Sequence, residues 1–125
     1  MENLQNLMRE KGIEYKFQEY DSNVYLFKVG NEKKINIITM EENSSTFKID
    51  RDLFFYIDNQ KEMYAFLLIN TAEDKTYYLE FLDKNNWLKT SFDRSDKESI
   101  FFGKIVLQHR VNIEEILLKI LSRIK

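Results

Sequence analysis

The chain has 125 residues, 43% of them hydrophobic and 14% aromatic, enough to form one domain, residues 1–125, around an ordinary core without a metal or disulfide staple. It has no cysteine, which excludes disulfides, zinc–thiolate centres and thiol nucleophiles and suits a reducing cytoplasm. With 19 basic and 21 acidic residues and a net charge of −2, it lacks the basic excess by which a dedicated duplex binder neutralises phosphates.

The elements follow in chain order. "ENLQNLMREKG" places Leu4, Leu7 and Met8 at helical spacing and ends on Gly12, a helix stop. "IEYKFQEY" alternates, with Ile13, Tyr15 and Phe17 on one face of a strand. "NVYLFKV" is a second strand, and "GNEK" turns it back into a third, "KINIITM". After "EENSS" comes a short extended piece, "TFKI", and then a helix over 52–60 with Asp50 as N-cap and Asp52 near the positive end of its dipole. Leu53, Phe54 and Ile57 form the apolar side of that helix.

"YAFLLI" is the longest apolar run and reads as a strand buried on both faces; it falls far short of the ~20 residues of a membrane helix. "TYYLEFL" is a further extended piece, residues 83–99 read as the longest irregular segment, and "IFFGKIVL" as another strand. The last helix is the clearest element: Asn112 and Glu115 form a capping box, and Ile113, Ile116, Leu117, Ile120, Leu121 and Ile124 share one face. The start of the chain has two acids and no apolar leader core, so the expectation is a soluble cytoplasmic protein with no membrane contact. The expected fold is α/β (α+β), with a central mixed sheet, extra C-terminal strands and a C-terminal amphipathic helix.

The order helix, three-strand meander, crossover helix, buried strand resembles the αβββαβ core of the PD-(D/E)xK, or restriction-endonuclease-like, nuclease superfamily. The resemblance covers roughly residues 1–82. The stretch "INIITMEENSSTFKIDRDLFFYIDNQKEMYAFLLINTAEDKTYYLEF" is similar to members found in bacterial defence and mobile elements. The resemblance implies Mg²⁺ held by an Asp on the second strand and a Glu on the third, with a Lys two residues on. Hard cations need converging oxygens, and the transition state needs a nearby positive charge.

This chain departs from that pattern. "VYLFKV" holds no acid, and Asp21 lies before it. The middle of the third strand reads Ile37, Ile38, Thr39, Met40, with neither Glu nor Lys. Glu-x-Lys occurs at Glu14–Lys16, Glu32–Lys34 and Glu73–Lys75, which a chain with 32% charged residues produces by chance. Glu41 and Glu42 end an alternating strand and point to opposite sides. A pseudo-enzyme with no metal and no cofactor fits better than a nuclease with displaced ligands at Asp21 and Glu41.

Other chemistry has no footing. His109 is the sole histidine, and no Gly-x-Ser-x-Gly elbow or glycine-rich phosphate loop exists. Lys28, Lys33, Lys34, Lys48 and Arg51 offer a local basic strip beside Tyr20 and Tyr25, interleaved with acids at 32, 41, 42, 50 and 52. Trp87, Phe92 and Arg94 are residue types enriched in interface hot spots, and they equally serve as plugs of a long loop onto the sheet. "IFFGKIVL" can act as an edge that pairs with a second copy, a homodimer, or with a partner. The expectation is a catalytically inactive nuclease-fold module acting through a protein partner in a nucleic-acid-related pathway. Its alternatives are an active Mg²⁺-dependent nuclease and a non-catalytic nucleic-acid-binding module.

Overall fold

The computed structural model describes residues 2–21, 23–32, 34–59, 62–80, 92–95, 98–102 and 110–124; of Glu2, Asp21, Asp58, Glu80 and residues 92–95 it describes the backbone alone. Helix α1 (Glu2–Glu10) leads into strands β1 (Tyr15–Asp21), β2 (Val24–Val29) and β3 (Ile35–Glu42). A short strand β4 (Lys48–Asp50) and helix α2 (Arg51–Asp58) precede β5 (Met63–Asn70) and β6 (Lys75–Glu80). Strands β7 (Phe92–Ser95) and β8 (Ser99–Phe102) and helix α3 (Ile113–Ile124) follow.

The main sheet runs β1-β2-β3-β5-β6 and is mixed: β3 and β5 are parallel and the other pairs antiparallel. The parallel pair requires the crossover that α2 supplies. Its eight-residue register, Ile35↔Met63 through Glu42↔Asn70, is unbroken. Both strands are buried on both faces, which is why "INIITM" and "YAFLLI" are near-continuous apolar runs.

Alternation along these strands divides the core in two. On one side, Phe27, Val29, Ile35, Ile37 and Leu67 pack under α1 (Leu4, Met8) and α3 (Ile116, Leu117, Ile120). On the other, Ile38, Met40, Tyr64, Phe66 and Leu68 pack under α2 (Phe54, Ile57) and under Phe47, Ile49, Ile100 and Phe102. The C-terminal helix therefore uses the stripe read from its sequence, while Leu118, off that stripe, is exposed.

Local chemistry ends the elements where the sequence indicates. Gly12 takes φ +70° after α1, its N–H bonds to Arg9 O (3.1 Å) and the Ile13 N–H reaches back to Met8 O (2.9 Å), a Schellman closure. Ile13 is thus a buried post-helix anchor, and β1 begins two residues later than the alternation suggested. Asn112 Oδ1 accepts from the backbone N–H groups of Glu114 (2.9 Å) and Glu115 (3.3 Å) to open α3.

One expectation needs correction, and one short piece finds its place. "TFKI", read as a short extended piece, contains β4, which pairs with β8, and β8 with β7, in a separate three-stranded sheet. The segment 83–99, read as irregular, contains β7, because "FDRS" is too short and polar to show a period of two and becomes a strand only by pairing with β8. The part of "IFFGKIVL" beyond Phe102 lies outside the described residues.

Asp50 joins the two sheets' elements. It is the last residue of β4, paired with Ser99, and its Oδ1 accepts from the N–H groups of Asp52 (2.8 Å) and Leu53 (3.3 Å) at the start of α2. Asp50→Ala is expected to lower stability by about 1 kcal/mol, while Asp50→Asn keeps most of it. Urea unfolding of the two variants, compared at the midpoint, checks this.

Candidate functional site

The site implied by the nuclease resemblance is the middle of β3. Ile37, Ile38, Thr39 and Met40 there are each at most 2% exposed. Ile37 packs toward α1 and α3, and Ile38 and Met40 toward α2. No side chain at these positions offers a carboxylate or an amine, and the packing on both faces occupies the space a hydrated ion would need.

Glu41 and Glu42 close β3 and diverge as strand alternation requires. Glu41 shares a face with Tyr25, whose phenol is pushed up by burial and then by the charges of Glu41 and Glu19. Glu42 lies on the other face with Lys48, Asp50 and Glu98 around a cleft of about 300 Å³. Asp21 sits at the same end of the sheet as Glu41, two strands away through Val24, or about 10 Å by strand spacing; its side chain lies outside the described ones. Among the described residues no three His, Asp or Glu side chains group to hold a metal ion.

The Glu-x-Lys pairs have other occupations. Glu73 and Lys75 form a surface ion pair (3.1 Å) across the β5–β6 turn, where Asp74 takes φ +53°. Glu14 Oε2 accepts from Asn31 Nδ2 (2.6 Å) at the foot of β1. No similarity to known proteins was found: no family model matches the chain, and no curated protein or solved structure matches it.

The basic strip is divided rather than continuous. Lys28 and Lys34 line one cleft, of about 270 Å³, together with Lys16 and Glu14. Lys48 lines the cleft at the opposite end, and the Arg51 guanidinium sits 5.5 Å above the Phe55 ring. Lys33, Trp87 and His109 lie outside the described residues, as do the side chains of Phe92 and Arg94, whose backbones occupy β7 at the edge of the small sheet.

Between the two clefts runs a narrow apolar groove lined by Tyr20, Val24, Leu26, Leu53, Tyr56 and Tyr64. Tyr56 is 57% exposed and Tyr20 49%. Sequence reasoning passed over Tyr56, Lys16 and Glu98. One signal was present: in "DLFFYID", Phe55 and Tyr56 fall off the Leu53–Phe54–Ile57 stripe, leaving two aromatics on the solvent side of a short helix. Lys16 and Glu98 carried none, since only pairing brings them to these clefts. On the other face of the sheet, Phe17 is 40% exposed and stacks on Tyr25 at 5.5 Å and 20°.

Tyr64 is 5% exposed, and its phenol is pushed up to about 12, first by burial and then by Tyr56 and Glu62. The folded state holds this proton more tightly than the unfolded chain, whose phenols ionise near 10. The associated stability is intact below about pH 10 and is lost as pH rises toward 12. The melting temperature of wild type is expected to fall relative to that of Tyr64→Phe as pH rises across that window, because only wild type loses this term.

Proposed function

We propose that the chain is a catalytically inactive binding module on a nuclease-like core, acting through a protein partner in a nucleic-acid-related pathway such as a defence system, a mobile element or a phage-type inhibition system. One observation carries the reading: β3, where a nuclease of this kind presents its Glu and Lys, instead places Ile37, Ile38, Thr39 and Met40 in the packed core. The αβββαβ order of α1, β1–β3, α2 and β5 supports the comparison with that core.

A partner protein is favoured over a nucleic acid because, among the described residues, Lys16, Lys28 and Lys34 line a cleft at one end of the sheet and Lys48 lines the cleft at the other, with no continuous cationic track between them. Phe17 beside Tyr25 offers aromatic contact surface, and we assign Trp87, Phe92 and Arg94 to the same role as interface anchors.

The test has two arms. Incubation with single- and double-stranded DNA and RNA plus Mg²⁺ or Mn²⁺ is expected to leave the nucleic acid intact; cleavage lost in Glu41→Ala would overturn the reading. Affinity isolation from the native host is expected to retain one defined protein that Phe17→Ser and Trp87→Ala release. Nucleic acid bound directly, with affinity falling steeply as salt rises, contradicts it.

A further inference from the structure

The two edges of the main sheet are treated differently. Beside β6, Arg110 bridges to Tyr77 and the Val111 N–H donates to Thr76 O (2.9 Å), so a further stretch of chain lies along that edge. Strand β1 forms the opposite edge. The Gly30 N–H donates to Glu14 O (2.9 Å), which fixes the alternation of the β1–β2 ladder. Lys16 and Gln18 exchange main-chain bonds with β2, whereas Tyr15, Phe17 and Glu19 turn their N–H and C=O groups away from it. Among the described residues nothing pairs with those outward groups. A row of unpaired main-chain donors and acceptors is a template for another strand.

The side chains along this edge indicate which strand. Phe17 is 40% exposed although its ring lies 5.0 Å from Phe27 and stacks on Tyr25 at 5.5 Å, so the aromatic row stops half-covered at the last strand. The regular edge begins at Tyr15 and ends at Glu19, where a bulge shifts the register before Asp21. Phe17 is its midpoint.

We propose that β1 of a second copy of the chain pairs with this edge, antiparallel, about a two-fold axis that passes through Phe17 perpendicular to the sheet. A two-fold contact must be self-complementary, and this edge is. Phe17 then lies opposite Phe17 of the other copy and Tyr15 opposite Glu19, and these outward-facing pairs exchange main-chain hydrogen bonds. On the other face of the sheet Lys16 lies opposite Gln18, so no like charges are opposed. Other registers are worse. With the axis at Lys16 or at Glu19, a charge faces its own copy, which is destabilising. At Gln18 the pairing runs into the bulge, and at Tyr15 it needs the Ile13 N–H, which is already bonded to Met8 O. The pairing joins two five-stranded sheets into one and brings the two Phe17–Tyr25 stacks together on one face. It is a property of the purified chain and needs no other protein, so its failure is distinct from failure of the function proposed above.

The test reads association and its register. Sedimentation velocity over a concentration series is expected to show a monomer–dimer equilibrium for wild type. Gln18→Glu sets a carboxylate against Lys16 of the other copy at both ends of the contact, and is expected to tighten the dimer by about two- to thirty-fold. Gln18→Lys opposes like charges and is expected to loosen it by a similar factor. Lys16 and Gln18 are exposed, so neither change touches the core. Glu19→Pro removes an outward N–H and no bond to β2, and is expected to be monomeric with an unchanged circular dichroism spectrum. The two Gln18 variants decide the question should Glu19→Pro not fold. The Phe17 N–H is expected to be protected from hydrogen exchange in concentrated wild type and to exchange freely on dilution. A wild type that stays monomeric throughout, Gln18 variants that shift association in the same direction or not at all, a folded Glu19→Pro that dimerises like wild type, or a dimer whose Phe17 N–H exchanges freely overturns the proposal.

Discussion

Burial of β3 and β5 on both faces is the constraint on which the rest of the structure depends. Parallel neighbours cannot be joined by a tight turn, so the chain must leave the sheet after Glu42 and return at Met63. Each face of the pair must then be covered by separate elements, because an apolar strand exposed on either side forfeits roughly 25 cal/mol for every Å² left in water. One face is covered by α1 and α3, the other by α2 and the small β4-β8-β7 sheet. The two cores are filled largely by aromatic and branched side chains that are all but inaccessible, Phe27 in one and Phe54 and Phe66 in the other.

That constraint also decides where chemistry can be. A strand sealed on both faces presents polar groups to solvent only at its ends. Glu41 and Glu42 mark one end of β3, and Thr71 ties it to β5 through bonds from its N–H (2.8 Å) and hydroxyl (3.1 Å) to Glu42 O. At the other end, the buried Asn36 donates to Glu62 Oε2 (2.8 Å) and Met63 O (3.3 Å), holding the return of the chain into β5. Polar side chains at both ends fasten the parallel pair, and the middle is buried. The same arrangement that makes the sheet stable leaves the middle of β3 without a carboxylate or an amine.

The surface pattern follows from how strands are paired rather than from how charges are spaced along the chain. Lys16 and Lys28 are twelve positions apart and directly opposite across β1 and β2. Lys48 and Asp50, within three positions of Arg51 in sequence, belong to the small sheet and line the cleft at the other end of the main sheet. A strip of basic residues read along the sequence thus becomes two separated groups, each mixed with carboxylates, with tyrosines between them.

Much of the fold was legible because its signals are local. The 3.6-residue spacing from Ile113 to Ile124, the Asn112 cap, Gly12 at the end of α1, the Asp50 cap of α2 and the alternating or continuous apolar runs of β2, β3 and β5 each follow from the conformational preferences of neighbouring residues. The absence of Glu and Lys from the middle of β3 was legible in the same way. What only the tertiary structure decided depends on contacts between distant residues. "KID" and "FDRS" have no periodicity of their own and become strands through pairing with β8. Tyr20 and Tyr56, 36 positions apart, line one groove because α2 crosses over the sheet beside β1 and β2. Glu98 reaches Glu42 and Asp50 because β8 pairs with β4, so Ser99 lies opposite Asp50 and Glu98 O accepts the Arg51 N–H at 2.9 Å. Periodicity records which face of an element is apolar; which elements share that face is set by pairing and packing over the whole chain.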